Sequence, residues 1–363
     1  DGRHLIDMIA DINLEDHIIY ATEGVKKRYI WDDNTNSLKI LPTGANATIL
    51  ERPYVNFQAL LAILLERFAK RPIASDESIY EFCTRKFNKT TTEMLIDPAI
   101  AGIYSGDIKK LSAKSCSPIS ILHEIDQKYS SLIEGSKKYT YFTEKRLSDF
   151  QNGSDLYKLM VEKKATYSFI NGTQELPNAL VKSFNKDNTD IKLNHTLKSL
   201  KFNNHDNTMT ATINEKDYIY DQVYSTLSAS DILPILSNIT YDDDNNNKSN
   251  QINKILMELK KEIADITLAS VWSINVGYDH DVLPYDGFGF LVPSSSKLDL
   301  LGMTFDSSFF PQHNSTKKQT RICIMMGGDR HKHLINMSKY EIRGLAFKYL
   351  IKCLGITETP NVV

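Results

Sequence analysis

The residues best suited to contact a ligand lie in Leu283–Ser296, which reads LPYDGFGFLVPSSS. Gly287 and Gly289 flank one aromatic residue, Phe288, and the apolar run that follows ends at Pro293. Glycine within a strand commonly marks a bulge or a close approach by another group. The pattern fits a strand that presents a large ring to a flat ligand. It also fits an ordinary buried strand with a glycine-rich entry turn.

The spacing within this stretch sets a geometric condition. Phe288 and Leu291 are three residues apart, so a regular strand would direct their side chains to opposite faces. Both can face one ligand only if the alternation breaks between them. We therefore predict a β-bulge at Gly289.

The rest of the sequence offers little side-chain machinery for acid–base, metal or phosphate chemistry. There is no Ser-His-Asp order, no H-E-x-x-H, no P-loop and no cluster of metal ligands. His331 and His333 lie in DRHKH, and such a pair is more often a basic turn than a metal site. The cysteines are scattered without C-x-x-C spacing, which favours reduced thiols. We predict no metal and no catalytic side chain.

Helical and strand patterns mix along the chain, which predicts an α/β fold of mixed, α+β character. The predicted strands are His17–Ala21, Lys27–Trp31, Leu38–Leu41, Thr166–Ile170, Asp190–Leu193, Leu197–Phe202, Met209–Ile213, Tyr218–Ser225 and Thr267–Gly277. The predicted helices are His4–Leu14, Asn56–Lys70, Ser75–Phe87, Thr91–Ala101, Ser117–Ile133, one opening at Thr173, one within Ser228–Leu236, Asn253–Ile263 and Lys339–Cys353. Ser75 is the predicted N-cap of its helix and Gly102 reads as a C-cap. The polar tract Tyr241–Gln251 is predicted to be a solvated loop.

The helix predicted at Asn56–Lys70 has the most strongly apolar face. It is too short to cross a bilayer, which needs ~20 residues. It is therefore either a buried core helix or a helix that lies in the membrane interface with its basic residues at the headgroups.

The bulk composition describes a globular chain. The sequence has 363 residues, is 41% hydrophobic and carries a formal net charge of −2, so it can build a core for two or three domains. Because no dense basic tract is present, nothing in the sequence indicates a nucleic-acid partner.

Five stretches together resemble one enzyme family, the oxygen-dependent protoporphyrinogen oxidases of haem synthesis. They occur in the family's order, run through nearly the whole chain and suggest a yeast-type member. They are DPAIAGIYSGDIKKLSAKSCSP (Asp97–Pro118), YSFINGTQELPNAL (Tyr167–Leu180), GFGFLVPSS, LLGMTFDSSFFP (Leu300–Pro311) and RICIMMGG (Arg321–Gly328).

The resemblance implies that FAD oxidises protoporphyrinogen IX and that molecular oxygen accepts the electrons. A flavin would also account for the missing acid–base residues, because the cofactor performs the hydride removal. Arg28, which precedes Leu41-Pro42-Thr43, would pair with a substrate propionate, although a lone arginine on a strand is usually a solvated surface residue. The cavity would be lined by Gly102, Phe288, Leu291, Thr304 and Met325. The backbone at Leu197 would lie against the adenine of FAD.

The resemblance also implies a domain plan and a location. Residues 1–15 and 166–240 would belong to an FAD-binding domain of the amine-oxidase-like type. Residues 16–43 and 241–363 would form a mixed-sheet substrate domain, and 44–165 a helical membrane-associating domain. The implied location is the mitochondrial inner membrane, where the protein would be peripheral. A homodimer and contact with ferrochelatase are further implications.

The sequence departs from the family in one respect. It contains no G-x-G-x-x-G dinucleotide fingerprint, which the family carries near its N-terminus, and it stops short of the family's C-terminal flavin segment. We therefore expect an internal fragment with an incomplete flavin domain, colourless and inactive as an oxidase by itself. Two alternatives stay open: another flavin amine-oxidase relative, such as an amine oxidase or a carotene desaturase, and a non-catalytic porphyrin-binding or membrane-docking fragment.

Overall fold

Helices and short strands mix along the chain, as the sequence predicted. The computed structural model describes residues 2–22, 25, 27–41, 66–68, 76–139, 141–163, 166–184, 188–203, 205–241, 246–316 and 318–363. The α-helices are α1 (Gly2–Asp11), α2 (Ile79–Lys86), α3 (Lys89–Thr91), α4 (Asp97–Tyr104), α5 (Ile119–Tyr129), α6 (Leu132–Lys138), α7 (Tyr141–Asn152), α8 (Asp155–Lys163), α9 (Glu175–Ser183), α10 (Ala229–Ser237), α11 (Asn246–Ala264), α12 (Asp306–Phe309) and α13 (Lys339–Leu354). The strands are β1 (Ile18–Tyr20), β2 (Arg28–Asp32), β3 (Ser37–Leu41), β4 (Tyr167–Phe169), β5 (Leu197–Asn203), β6 (Thr208–Ile213), β7 (Lys216–Tyr220), β8 (Thr240–Tyr241), β9 (Val271–Tyr278), β10 (Gly289–Leu291), β11 (Gly302–Thr304) and β12 (Thr320–Gly327).

The chain divides into two compact units. The first unit comprises Asp1–Ser183 and Ala269–Val363, and the second comprises Phe184–Leu268. The second unit is a four-stranded sheet in the order β7-β6-β5-β8, with Leu200, Ala211 and Ile235 at its core. The assignment of these segments to flavin, substrate and membrane domains stays a prediction.

The first unit is built on a six-stranded sheet in the order β3-β2-β10-β11-β12-β9. Strand β10 runs parallel to β2, and the other neighbours are antiparallel. One face of this sheet packs against α13. The buried side chains at that contact are Tyr29, Phe290, Met303 and Ile324 from the sheet and Ile342, Ala346 and Leu350 from the helix. Each large apolar side chain buried there contributes ~1.5–3 kcal/mol of transfer free energy, so this face is the core of the unit.

The helical region follows β3 in the sequence and has a core of its own. Ile79, Phe82, Ile100 and Ile119 are buried together there. A buried lysine, Lys86, lies beside them, with its Nζ 3.0 Å from Glu66 Oε2 and 2.5 Å from Asp126 Oδ1. A buried charge needs such partners, because an unpaired ion in the interior is strongly destabilising.

The predicted helix at Asn56–Lys70 lies outside the described residues, apart from 66–68, which form a 3-10 turn. Within the ranges that the structure does describe, no helix combines the length and the apolar character needed to cross a membrane.

Several predicted boundaries are wrong. Helix α2 begins at Ile79, and its N-cap is Ser78, not Ser75: Ser78 and Glu81 form a reciprocal capping box. Residues 190–193 are not a strand. Helix α11 already begins at Asn246, so the predicted loop Tyr241–Gln251 is wrong over its last part.

Candidate functional site

Most of the predicted substrate residues share the face of the six-stranded sheet that points away from α13. Residues paired across neighbouring strands lie on the same face, so the register of the sheet assigns each side chain to a side. One row across the strands is Arg28, Gly289, Thr304, Cys323 and Asn275, and the next is Ile30, Leu291, Gly302, Met325 and Ser273. The structure therefore brings Arg28, Leu291, Thr304 and Met325 to one surface, which we call the open face.

Phe288 lies at the edge of the open face, just before β10 begins. Its ring centroid is 5.6 Å from the Arg28 guanidinium carbon and 4.8 Å from the centroid of the Phe309 ring, which meets it edge-on. A cation held near an aromatic ring is stabilised by ~0.5–1 kcal/mol at an exposed site. Phe288 and Arg28 thus form one continuous patch with an apolar ring and a positive charge.

The Arg28 guanidinium is available for an external partner. Its side chain is exposed, and within the described part of the chain it forms no hydrogen bond or ion pair. A guanidinium can hold a carboxylate through two parallel charge-assisted hydrogen bonds. The geometry is compatible with the predicted propionate contact.

The predicted bulge at Gly289 is wrong. Strand β10 pairs with β11 residue for residue, from Gly289 opposite Thr304 to Leu291 opposite Gly302. The break in alternation arises instead because Phe288 precedes the strand, between two glycines with φ of +151° at Gly287 and +138° at Gly289. A Cβ atom at Gly289 would lie 2.1 Å from the Met303 carbonyl oxygen. Glycine is required there by close approach as well as by conformation.

Gly102 faces Leu291 across a close helix–strand contact. It lies inside α4 and is not the C-cap that the sequence suggested, because the cap is Ser105 in the left-handed conformation. A Cβ atom at Gly102 would lie 2.8 Å from Leu291 Cδ2. The small residue lets α4 approach the open face at Leu291.

Both ends of α4 are fastened to the strands and loops of the sheet. At its start, Asp97 pairs with the partly buried Arg330 and accepts a hydrogen bond from the Ser294 amide at 2.8 Å. At its end, the Asp329 amide donates to the Ser105 carbonyl at 2.8 Å. The contact between Gly102 and Leu291 is therefore held on either side.

Sequence reasoning missed a polar cluster at the border of the open face. Thr304 Oγ1 donates a hydrogen bond of 2.7 Å to Asp306 Oδ1, and Cys323 Sγ lies 3.2 Å from Ser273 Oγ. Burial raises the pKa of Asp306, although Thr304, Arg321 and His313 oppose that shift. The available signal was an aspartate two residues after Thr304, but the resemblance pointed only to the neighbours that line the cavity.

A cavity of about 390 Å³ adjoins this cluster. Asn275, Gly277 and Arg321, which line it, belong to the same face of β9 and β12 as Cys323 and Met325. Asp306 and Gln319 complete its polar side, and Val362 contributes apolar surface. The open face therefore continues into a recess with both apolar and polar walls.

Leu197 lies in the second unit, at the start of β5. The pairing of β5 with β6 shifts register between Leu197 and Ser199, so Lys198 has no partner in that ladder. Backbone groups released by such an irregularity can contact a ligand, which fits the predicted contact with adenine. The fit to a dinucleotide is partial, because the sequence has no G-x-G-x-x-G segment for the pyrophosphate.

The residues that the structure describes contain no group of three His, Cys, Asp or Glu side chains placed to hold a metal ion. The His331 and His333 rings lie instead beside Asp299, with His331 Nδ1 3.1 Å from Asp299 Oδ1 and His333 Nε2 3.6 Å from Oδ2.

The chain belongs to the flavin-containing amine oxidoreductase family, whose model matches residues 1–363. It is therefore an oxidoreductase of a flavin-dependent class. The predicted fold class, a mixed α/β fold of the flavin amine-oxidase type, is confirmed.

Within that family, several curated relatives that match over most of the chain are named protoporphyrinogen oxidase. Protoporphyrinogen oxidase of Dictyostelium discoideum is 26% identical over 99% of this chain and 72% of that protein. The enzyme of Schizosaccharomyces pombe is 25% identical over 99% of this chain and 71% of its own length. The human enzyme is 24% identical over 90% and 64%. The resemblance to protoporphyrinogen oxidases is confirmed.

Solved structures support the fold. A candidate protoporphyrinogen oxidase from Exiguobacterium sp. 255-15 superimposes with a TM-score of 0.71 at 18% identity, covering 98% of this chain and 70% of that one. A putrescine oxidase variant superimposes with a TM-score of 0.59 at 12% identity, covering 100% and 70%.

Proposed function

We propose that the enzyme formed by this sequence oxidises protoporphyrinogen IX to protoporphyrin IX in haem synthesis, with FAD as its flavin and oxygen as the electron acceptor. The observation that carries the proposal is the shared surface of Arg28, Leu291, Thr304 and Met325, with Phe288 at its edge and Gly102 opposite Leu291. Arg28 and Gly102 are far from the other four residues in sequence, and the resemblance predicts one cavity for all of them.

The chemistry of the open face suits such a substrate. A porphyrinogen is a broad apolar macrocycle with carboxylate arms, and sites for such ligands combine apolar walls with a few polar anchors. Leu291 and Met325 supply apolar surface, Phe288 supplies a ring, and Arg28 supplies a cation for one propionate. Thr304 places a small polar side chain between the two kinds of surface.

The side chains would bind and orient, while the flavin would supply the redox step when bound. Arg28 would fix the direction in which the macrocycle lies, and the apolar wall would exclude water from the reacting carbon. The backbone near Leu197 would hold the adenine end of FAD.

Location and partners are proposed on the resemblance alone. The enzyme would be peripheral at the mitochondrial inner membrane, docked through the Asn56–Lys70 stretch, whose sequence suits an interfacial helix. A homodimer and contact with ferrochelatase belong to the same proposal.

Two measurements on the purified chain test the proposal. The first is a titration with protoporphyrin IX in which quenching of tryptophan fluorescence reports binding. The second is absorbance of bound flavin, with and without added FAD, together with the appearance of porphyrin fluorescence from protoporphyrinogen. Tetrapyrrole binding supports the substrate assignment, and flavin-dependent turnover supports the whole proposal. Binding without flavin would favour the non-catalytic alternative for this chain, and failure to bind any tetrapyrrole would contradict the proposed function.

A further inference from the structure

Asp306 is the acidic side chain through which the open face meets the 390 Å³ cavity. Its Oδ1 accepts from Thr304 Oγ1 at 2.7 Å, so it lies one hydrogen bond from a predicted substrate residue. Its Oδ2 receives no hydrogen bond from any residue in the described ranges. One carboxylate oxygen is therefore held in place, and the other remains free to accept.

A purely structural role for Asp306 would not account for its free carboxylate oxygen. Asp306 opens α12, but that helix has only 4 residues and its N-cap is Phe305. Arg321 is nearby, yet its Nε donates to Asn314 Oδ1 at 2.8 Å and its Nη2 to the Phe310 carbonyl at 2.7 Å. The guanidinium supports the loop around Asp306 without capturing the carboxylate. Among the residues that the structure describes, none donates to the free oxygen of Asp306.

The substrate offers a partner of matching chemistry. In a porphyrinogen, saturated carbons link the pyrroles, so the rings can tilt and turn several N–H donors toward one anion. In the flat, oxidised porphyrin, the remaining N–H groups point into the centre of the ring and cannot reach a carboxylate beside it. A carboxylate at the open face can therefore distinguish the reduced macrocycle from the oxidised one.

We propose that the Asp306 carboxylate accepts hydrogen bonds from the pyrrole N–H groups of the reduced macrocycle and so selects porphyrinogen over porphyrin. This inference rests on the proposed function and deepens it. It makes Asp306 a specificity-determining residue whose role differs from that of Arg28. Arg28 binds a carboxylate arm that both ligands have, whereas Asp306 distinguishes the reduced macrocycle from the oxidised one.

The expected loss of affinity for porphyrinogen follows from hydrogen-bond energetics. Hydrogen bonds to a charged group are stronger than neutral ones, and losing one or two of them corresponds to at least about tenfold in affinity. The charged form is needed, so the affinity for porphyrinogen should fall as pH falls through the pKa of Asp306. The charged and titratable groups that face it are Arg321 and Cys323 of β12 and His313. The carboxylate arms titrate in both ligands and cancel in their comparison.

The test compares two ligands on the full 363-residue chain under anaerobic conditions. Dissociation constants for protoporphyrinogen IX and protoporphyrin IX are measured for the wild type, Asp306→Asn, Asp306→Glu and Asp155→Asn. Asp306→Asn should weaken porphyrinogen binding at least about tenfold and leave porphyrin binding within about twofold. Asp306→Glu keeps the charge and should recover part of the preference. Asp155 is exposed on α8 and lines neither the open face nor the cavity, so Asp155→Asn should change neither constant.

The outcomes distinguish a failure of the proposed function from a failure of the role proposed for Asp306. If the wild type binds neither ligand, the proposed function fails and this inference fails with it. If the wild type binds both ligands and Asp306→Asn retains full affinity for porphyrinogen, the inference alone is overturned. Equal weakening of both ligands by Asp306→Asn would also overturn it, because that result describes a structural residue. Porphyrin binding serves as the folding control within each variant.

Discussion

Phe288 has neighbours on two sides, and they give its ring different roles. Phe309 meets it edge-on with centroids 4.8 Å apart, and Arg28 lies 5.6 Å from its centroid. The side chain is only partly buried, so part of its surface is left for a ligand. The ring is thus supported from within the fold and still presents an aromatic surface.

The first prediction concerns this ring. Phe288→Ala should weaken protoporphyrin binding roughly three- to tenfold, because a lost aromatic contact is worth ~0.5–1.5 kcal/mol beyond buried area. The loss of unfolding free energy should stay below the ~3–5 kcal/mol typical of a fully buried phenylalanine. Phe288→Trp should keep more affinity than Phe288→Ala. Binding titrations and thermal melts measure both effects, and a variant that binds normally but melts much earlier would contradict the prediction.

The second prediction concerns Arg28. In the flavin-loaded enzyme, Arg28→Ala should raise KM roughly tenfold or more with little change in kcat, because ground state and transition state lose the same propionate contact. Arg28→Lys should recover only part of the loss, since a lysine cannot make the paired hydrogen bonds. Arg343 is a matched control: its guanidinium lies 5.4 Å from the Phe347 ring, on α13. Arg343→Ala should leave KM unchanged, and an unchanged KM in Arg28→Ala would exclude Arg28 from the site.

Single residues also show how far sequence reasoning reaches. The resemblance assigned Thr304 and Met325 to one cavity, and the strand register indeed places both on the open face. Asp306 was missed although it follows Thr304 by two residues, because nothing local shows that one carboxylate oxygen will be held and the other left free. That property depends on where Thr304 and Arg321 lie in three dimensions.

At the scale of elements, β10 is constrained more by its neighbours than by its own sequence. It is a three-residue strand between β2 and β11, and a Cβ atom on its first residue would overlap the Met303 carbonyl oxygen. Its apolar sequence predicted a strand, but its length and its regular pairing depend on both neighbours, and β2 is distant in sequence. Strands β2 and β3 were easier to predict, because each contains an apolar run and a polar turn separates them.

The third prediction contrasts two glycines. Gly289→Ala should destabilise the protein by several kcal/mol, because the new Cβ would lie 2.1 Å from a backbone oxygen at a φ of +138°. Gly344→Ala should stabilise it by up to about 1 kcal/mol, since Gly344 lies within α13 with open space around it. Chemical denaturation of the two variants measures the difference. Equal effects would show that β10 can shift to make room.

At the scale of the whole molecule, the sequence predicted the family, and its division into flavin, substrate and membrane domains stays a prediction. The second compact unit, Phe184–Leu268, interrupts the first. A boundary of this kind depends on which segments pack together, and helices such as α11 carry no local mark of the unit they join. The bounds of α13, by contrast, were predicted almost fully: the sequence predicted Lys339–Cys353, and the helix is Lys339–Leu354.

The last prediction compares how a bound tetrapyrrole changes amide hydrogen exchange in the two units. All the predicted substrate residues lie in the first unit, and Leu197 lies in the second. Ligand at 100 times its Kd stabilises the state that binds it by ~2.7 kcal/mol, so saturating protoporphyrin IX should slow amide hydrogen exchange in β10, β11 and β12. Exchange in β5, β6 and β7 should change little. Hydrogen exchange read by mass spectrometry measures both sets in one sample, and the Phe288→Ala chain at the same ligand concentration should show weaker protection. Protection confined to the second unit would place the tetrapyrrole away from the open face.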